Sequence, residues 1–72
     1  MTAKIILYTH PECDYSGALK AELDEAGTVY EEIDLAQNPE AWEEVQHFSG
    51  GDRITPVLVE NGYATVGYHG VG

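Results

Sequence analysis

A single cysteine in 72 residues excludes an internal disulfide, and with it the small secreted scaffolds that are stapled by several. Basic side chains are almost as scarce. Three Lys or Arg stand against thirteen Asp or Glu, a net charge of −10. A surface of that sign repels phosphate backbones and anionic bilayers, so neither nucleic acid nor membrane is expected as a partner. Long apolar runs are also missing. Ala3 and then Ile5 to Tyr8 make a stretch too short for a signal peptide or a membrane span. A lone cysteine without such a leader fits a reducing, cytoplasmic compartment. No repeat, linker or composition shift divides the chain, so residues 1–72 are read as one small monomeric domain with a modest core.

What is present alternates between strand and helix signals. Lys4 to Thr9 is a β-branched and aromatic run without alternation, which predicts a strand buried on both faces at the centre of a sheet. Pro11 ends it. From Asp14 to Ala26 the apolar positions Ala18, Leu19, Leu23 and Ala26 predict a helical stripe, with Lys20 and the acids on the opposite side. Cys13 or Asp14 stands at its N-cap, and Gly27 is its stop. Gly17 in the first turn weakens that helix; it is there for close backbone packing or to leave room near the sulfur. Thr28 to Asp34 predicts a charged edge strand.

Asn38-Pro39-Glu40 combines an N-cap, an N1 proline and an acid at the positive end of the dipole. A second helix follows, with Ala41, Trp42, Val45 and Phe48 on its inner stripe and Gly50-Gly51 at its end. Trp42 is read as core or rim. Val57 to Glu60 and Tyr63 to Gly67 flank Asn61-Gly62, the signature of a type I′ hairpin. The tail from Tyr68 to Gly72 is glycine-rich and has no helical pattern. The order β-α-β-α-β-β predicts an α/β domain with a mixed four-stranded sheet.

Two groups of residues carry chemistry. Cys13 lies where a loop becomes a helix, and unpaired amides with the helix dipole favour a thiolate there. The candidate cations are His10, three residues earlier, and Arg53 if the fold brings it close, whereas Glu12 and Asp14 oppose ionisation. An inert buried cysteine is the common alternative, but a helix start behind a proline with polar neighbours points to an accessible sulfur. The second group is Arg53-Ile54-Thr55-Pro56-Val57, with a proline immediately before a strand, where either peptide isomer can stand. His10, His47 and His69 with one cysteine show no metal-ligand spacing, so no metal site is expected.

Ile6 to Ser16 resembles the first strand and active-site loop of the glutaredoxin family, where Cys-Pro-Tyr-Cys is typical. Ser49-Gly50 through Thr55-Pro56 resembles the segment leading to that family's cis-proline. The resemblance runs from about Lys4 to Gly67 and implies a thioredoxin-like fold and thiol–disulfide exchange. It implies Cys13 as nucleophile, Tyr15 as a wall of a glutathione site, and Thr55 before cis Pro56 as a backbone contact to glutathione. His10 and Arg53 would assist the thiolate or bind a glutathione carboxylate. Glutathione is then a co-substrate, with no tightly bound cofactor, and mixed disulfides are the partners. Ser16 stands where dithiol members have a second cysteine, so the site is monothiol. Its hydroxyl can donate to the thiolate but cannot close a disulfide. The family's last helix has no counterpart in the tail after Gly67. Some monothiol members instead share an iron–sulfur cluster between two chains, usually with Gly-Phe where this chain has Asp14-Tyr15. A third expectation is a non-catalytic thioredoxin-like module that binds a basic partner through the Trp42 helix or the tail.

Overall fold

In the computed structural model, which describes residues 4–68, strand β1 (Ile5–Thr9) occupies the position its composition demands. It lies between β2 (Glu31–Asp34) and β3 (Val57–Glu60), with β4 (Tyr63–Val66) outside β3. β1 runs parallel to β2, from Ile6 opposite Glu31 to Thr9 opposite Asp34, and antiparallel to β3. Paired on both edges and covered on both faces, β1 buries three consecutive residues, Leu7, Tyr8 and Thr9. The charged strand β2 is an edge, as expected. Asn61 and Gly62 both have positive φ, at 53° and 80°, which is the I′ geometry that an Asn-Gly pair favours.

The two faces of the sheet are covered by different helices. Helix α2 (Trp42–Ser49) and the 3₁₀ turn Pro39–Ala41 before it close over Tyr8, Leu35, Val45 and Val57, with Ile33, Trp42, Val59 and Val66 packed around them. Leu7 alternates to the other face, where helix α1 (Asp14–Glu25) packs on β1. The result is a thioredoxin-like α/β fold: a mixed four-stranded sheet with two helices.

Four expectations about these elements are corrected. The apolar stripe of α1 is not Ala18, Leu19, Leu23 and Ala26, because Ala18 and Ala26 are exposed. The inward face is Ser16, Leu19, Lys20 and Leu23, with Ser16 the one fully buried residue of the helix. Lys20 was assigned to the solvent side. It is half-buried instead, because its ammonium reaches Glu32 at 3.1 Å. β2 starts at Glu31 rather than Thr28, and Val29 is 88% exposed. Asn38 makes no side-chain cap; its amide donates to the Asp34 carbonyl at 3.1 Å, and the helix opens as a 3₁₀ turn. The expectation that no helix follows Gly67 concerns residues 69–72 and lies outside the described residues. Among the described residues no helix is long and apolar enough to cross a membrane.

One polar contact in the core gives the fold a pH signature. The Tyr8 hydroxyl donates to Glu44 Oε2 at 2.9 Å. Burial, then that hydrogen bond and the Glu44 charge, push the phenol up to about 12. An unfolded tyrosine ionises near ~10, so the unfolded chain releases its proton first. The stabilisation is therefore complete below pH ~10 and is lost as pH rises through the folded value. A phenolate absorbance titration of the folded protein is expected to show a component near about 12 that disappears in Tyr8→Phe.

Candidate active site

The site lies at one edge of the sheet because of the connection rule for parallel strands. β1 and β2 run the same way, so the helices that follow them both begin at the C-terminal edge of these strands. Cys13 is the N-cap of α1 in extended conformation, with φ −101° and ψ 109°. Its amide donates to the His10 carbonyl at 3.0 Å, and its carbonyl accepts from Ser16 N–H at 3.1 Å. These turns hold the half-buried sulfur over the first turn of the helix. Across from it the Thr55–Pro56 peptide is cis. The neutral thiol donates to the Thr55 carbonyl at 3.3 Å.

The electrostatics of Cys13 come from hydrogen bonds rather than from cations. Burial by itself pushes the thiol up. Hydrogen bonds from the Thr55 and Ser16 side chains and from the Ser16 and Tyr15 amides outweigh it, and the thiol lies below its ordinary value. Ser16, 2% exposed, is oriented for this. Its oxygen accepts from the His10 amide at 3.3 Å, which leaves its proton free to point at the sulfur. Ser16→Ala is expected to shift the midpoint of thiol alkylation upward, while the circular dichroism spectrum stays that of the folded chain.

The other site residues take places that the sequence left open. The His10 imidazole makes its contacts away from the sulfur: its Nδ1 accepts from the Glu12 amide at 3.1 Å and its ring lies 6.0 Å from Trp42. Arg53 is exposed, with its guanidinium carbon 5.2 Å over the same indole. Trp42 therefore joins His10 to Arg53 at the rim of the site, one of the two places expected for it. Because Pro39–Ala41 is a 3₁₀ turn, Trp42 opens the α-helix after β2 as Cys13 caps the helix after β1. Tyr15, 43% exposed, stacks on Tyr68 with ring centroids 6.1 Å apart and planes at 25°. A hydrogen bond to Glu22 raises the Tyr68 phenol and anchors that ring to α1. Only the tail's position in space, not its sequence, reveals Tyr68 as the partner of Tyr15. Among the described residues no three His, Cys, Asp or Glu side chains are grouped to hold a metal ion.

A cysteine at the start of the first helix, facing a cis-proline loop across the end of a four-stranded mixed sheet, places the chain among thioredoxin-like thiol–disulfide proteins. Sequence comparison narrows the class, since the Glutaredoxin family model matches residues 5–63. The chain belongs to the glutaredoxin family. A Mycobacterium tuberculosis protein named as a glutaredoxin is 34% identical over 58 residues, covering 81% of this chain and 69% of the relative. Among solved structures, the glutaredoxin-like NrdH-redoxin of Escherichia coli superposes with a TM-score of 0.78 at 28% identity, over 90% of this chain and 83% of that one. The glutaredoxin of Archaeoglobus fulgidus gives 0.79 at 22% identity, over 92% and 76%, and supports the fold alone.

Proposed function

We propose that this chain is a one-thiol thiol–disulfide oxidoreductase. In the first step the Cys13 thiolate attacks one sulfur of a disulfide. The Sγ–S bond forms, the S–S bond breaks, and the departing thiolate carries away the electron pair and takes a proton from water. In the second step an external thiolate attacks the substrate sulfur now bound to Cys13. It forms a new disulfide and releases the Cys13 thiolate. Glutathione is the external thiol we assign. Thr55 beside cis Pro56 offers it a backbone contact, the exposed Arg53 a cation for a carboxylate, and Tyr15 a wall.

The observation that carries this reading is the Cys13 environment: a half-buried thiol lowered by Thr55, Ser16 and two amides, with no second thiol in the chain. Ser16 occupies the second-cysteine position and donates a hydrogen bond to the sulfur instead of forming a disulfide.

A glutathione-coupled reduction assay of 2-hydroxyethyl disulfide, with the adduct followed by mass spectrometry, tests both steps. The expected result is turnover that depends on Cys13 and a trapped adduct of one mixed disulfide per chain. An adduct that forms but is not released by glutathione would retain the first step and remove glutathione as the resolving thiol. No adduct at Cys13 would remove the reading.

A further inference from the structure

The two sides of Cys13 differ in charge. Because the strand order is β2-β1-β3-β4, the sulfur at the end of β1 has Thr55 and Pro56 on the β3 side. On the β2 side lies a cavity of about 300 Å³, lined in part by Cys13, Asp14, Gly17, Lys20, Glu32 and Asp34. Three carboxylates line it with one ammonium, and that ammonium is committed to Glu32 at 3.1 Å; His10 also lines the cavity, with its Nδ1 taken by the Glu12 amide. Glu32 is held further by the Thr9 hydroxyl, which donates to its Oε2 at 2.7 Å. The excess negative charge of the lining therefore rests on Asp14 and Asp34. A Cβ added at Gly17 would meet no atom within 4 Å. The glycine is thus not required by backbone packing, and its missing side chain leaves the cavity open beside the sulfur.

We infer that this cavity receives a positively charged group on the substrate: a lysine or arginine side chain next to a protein disulfide, or the amine of a small aminothiol disulfide. The inference rests on the thiol–disulfide reading above and names the substrate class of the same site. The attacked disulfide then spans both sides of Cys13. The half that remains on the enzyme lies toward Thr55, and the half that leaves lies over the β2-side cavity. The acids flanking Cys13, which oppose a bare thiolate, become the groups that bring a cationic disulfide to it. The chain's net charge of −10 steers the same class of partner from a distance.

The test compares three small disulfides that differ in charge: cystamine, 2-hydroxyethyl disulfide and dithiodiglycolate. Release of one thiol from each by reduced protein is measured at low salt. Each rate is divided by that of 2-mercaptoethanol with the same disulfide, which removes differences in leaving-group chemistry. The expected order is cation, neutral, anion, with cystamine favoured over the neutral disulfide by about three- to tenfold at low salt and the preference shrinking as salt screens it. Asp34→Asn keeps an oxygen for the Ala36 amide that Asp34 Oδ1 now accepts at 2.8 Å, and is expected to bring the ratio toward one. Glu60→Gln removes an equal charge at the far end of the sheet, opposite Ile5, and is expected to leave the ratio unchanged. A normalised ratio at or below one, or an equal fall in both variants, overturns the cavity assignment while leaving the thiol chemistry standing. A neutral disulfide that reacts no faster with the protein than with Cys13→Ser overturns both.

Discussion

Cys13→Ser is expected to reduce turnover of small disulfides by on the order of 10³-fold or more, to the rate of the external thiol alone. The serine hydroxyl at that position stays protonated at neutral pH and forms no bond to sulfur, so neither step of the exchange has a route. The fold is expected to survive. Cys13 is half-buried at a helix start, serine is a good N-cap, and the circular dichroism spectrum should match that of the parent. Loss of activity with retained structure is the pattern of a nucleophile. Retained activity would move the chemistry away from the one thiol the chain possesses.

Leu7→Ala is expected to have the largest effect on stability. Leu7 is 0% exposed in the central strand, opposite Glu32 on one neighbour and Leu58 on the other. Truncating such a leucine removes about 2–5 kcal/mol by lost burial and an unfilled cavity. A core of this size supplies only about 3–5 kcal/mol of net stability. The variant is therefore expected to be largely unfolded at room temperature, with no resolved urea transition, whereas Leu23→Ala on the half-buried face of α1 retains one. Equal urea midpoints for the two variants would mean that the sheet face under α1 contributes less than its burial implies.

The order of elements was legible in the sequence wherever a single local rule decided it. Asn61-Gly62 needs positive φ at two successive residues and takes it. The unalternating run Ile5 to Thr9 is central because only a central strand buries neighbouring residues on both faces. Local rules misjudged α1, because its inner face is decided by partners distant in sequence. Glu32 draws Lys20 inward, and the sulfur and the His10 amide hold Ser16, so polar residues fill places that an apolar stripe was expected to fill. The candidate site was legible at Cys13, Ser16, Thr55 and Pro56, whose motif spacing carries over in one piece. The source of thiol activation was not. His10 and Arg53, the expected cations, both lie against Trp42, and the hydrogen bonds that act on the sulfur include one from Thr55, brought from 42 positions away. The pairing of Tyr15 with Tyr68 likewise depends on β4 returning the chain to the site.

Thiol–disulfide exchange at this site depends on a Cys13 thiol lowered, against its burial, by Thr55, Ser16 and the amides of the first helical turn. The most direct measurement is the pH dependence of iodoacetamide alkylation of the folded protein, with the urea-unfolded chain as its own reference. A folded midpoint below that of the unfolded chain, which titrates near ~8.5 like any free cysteine, is the predicted result. A folded midpoint at or above the unfolded one would contradict it.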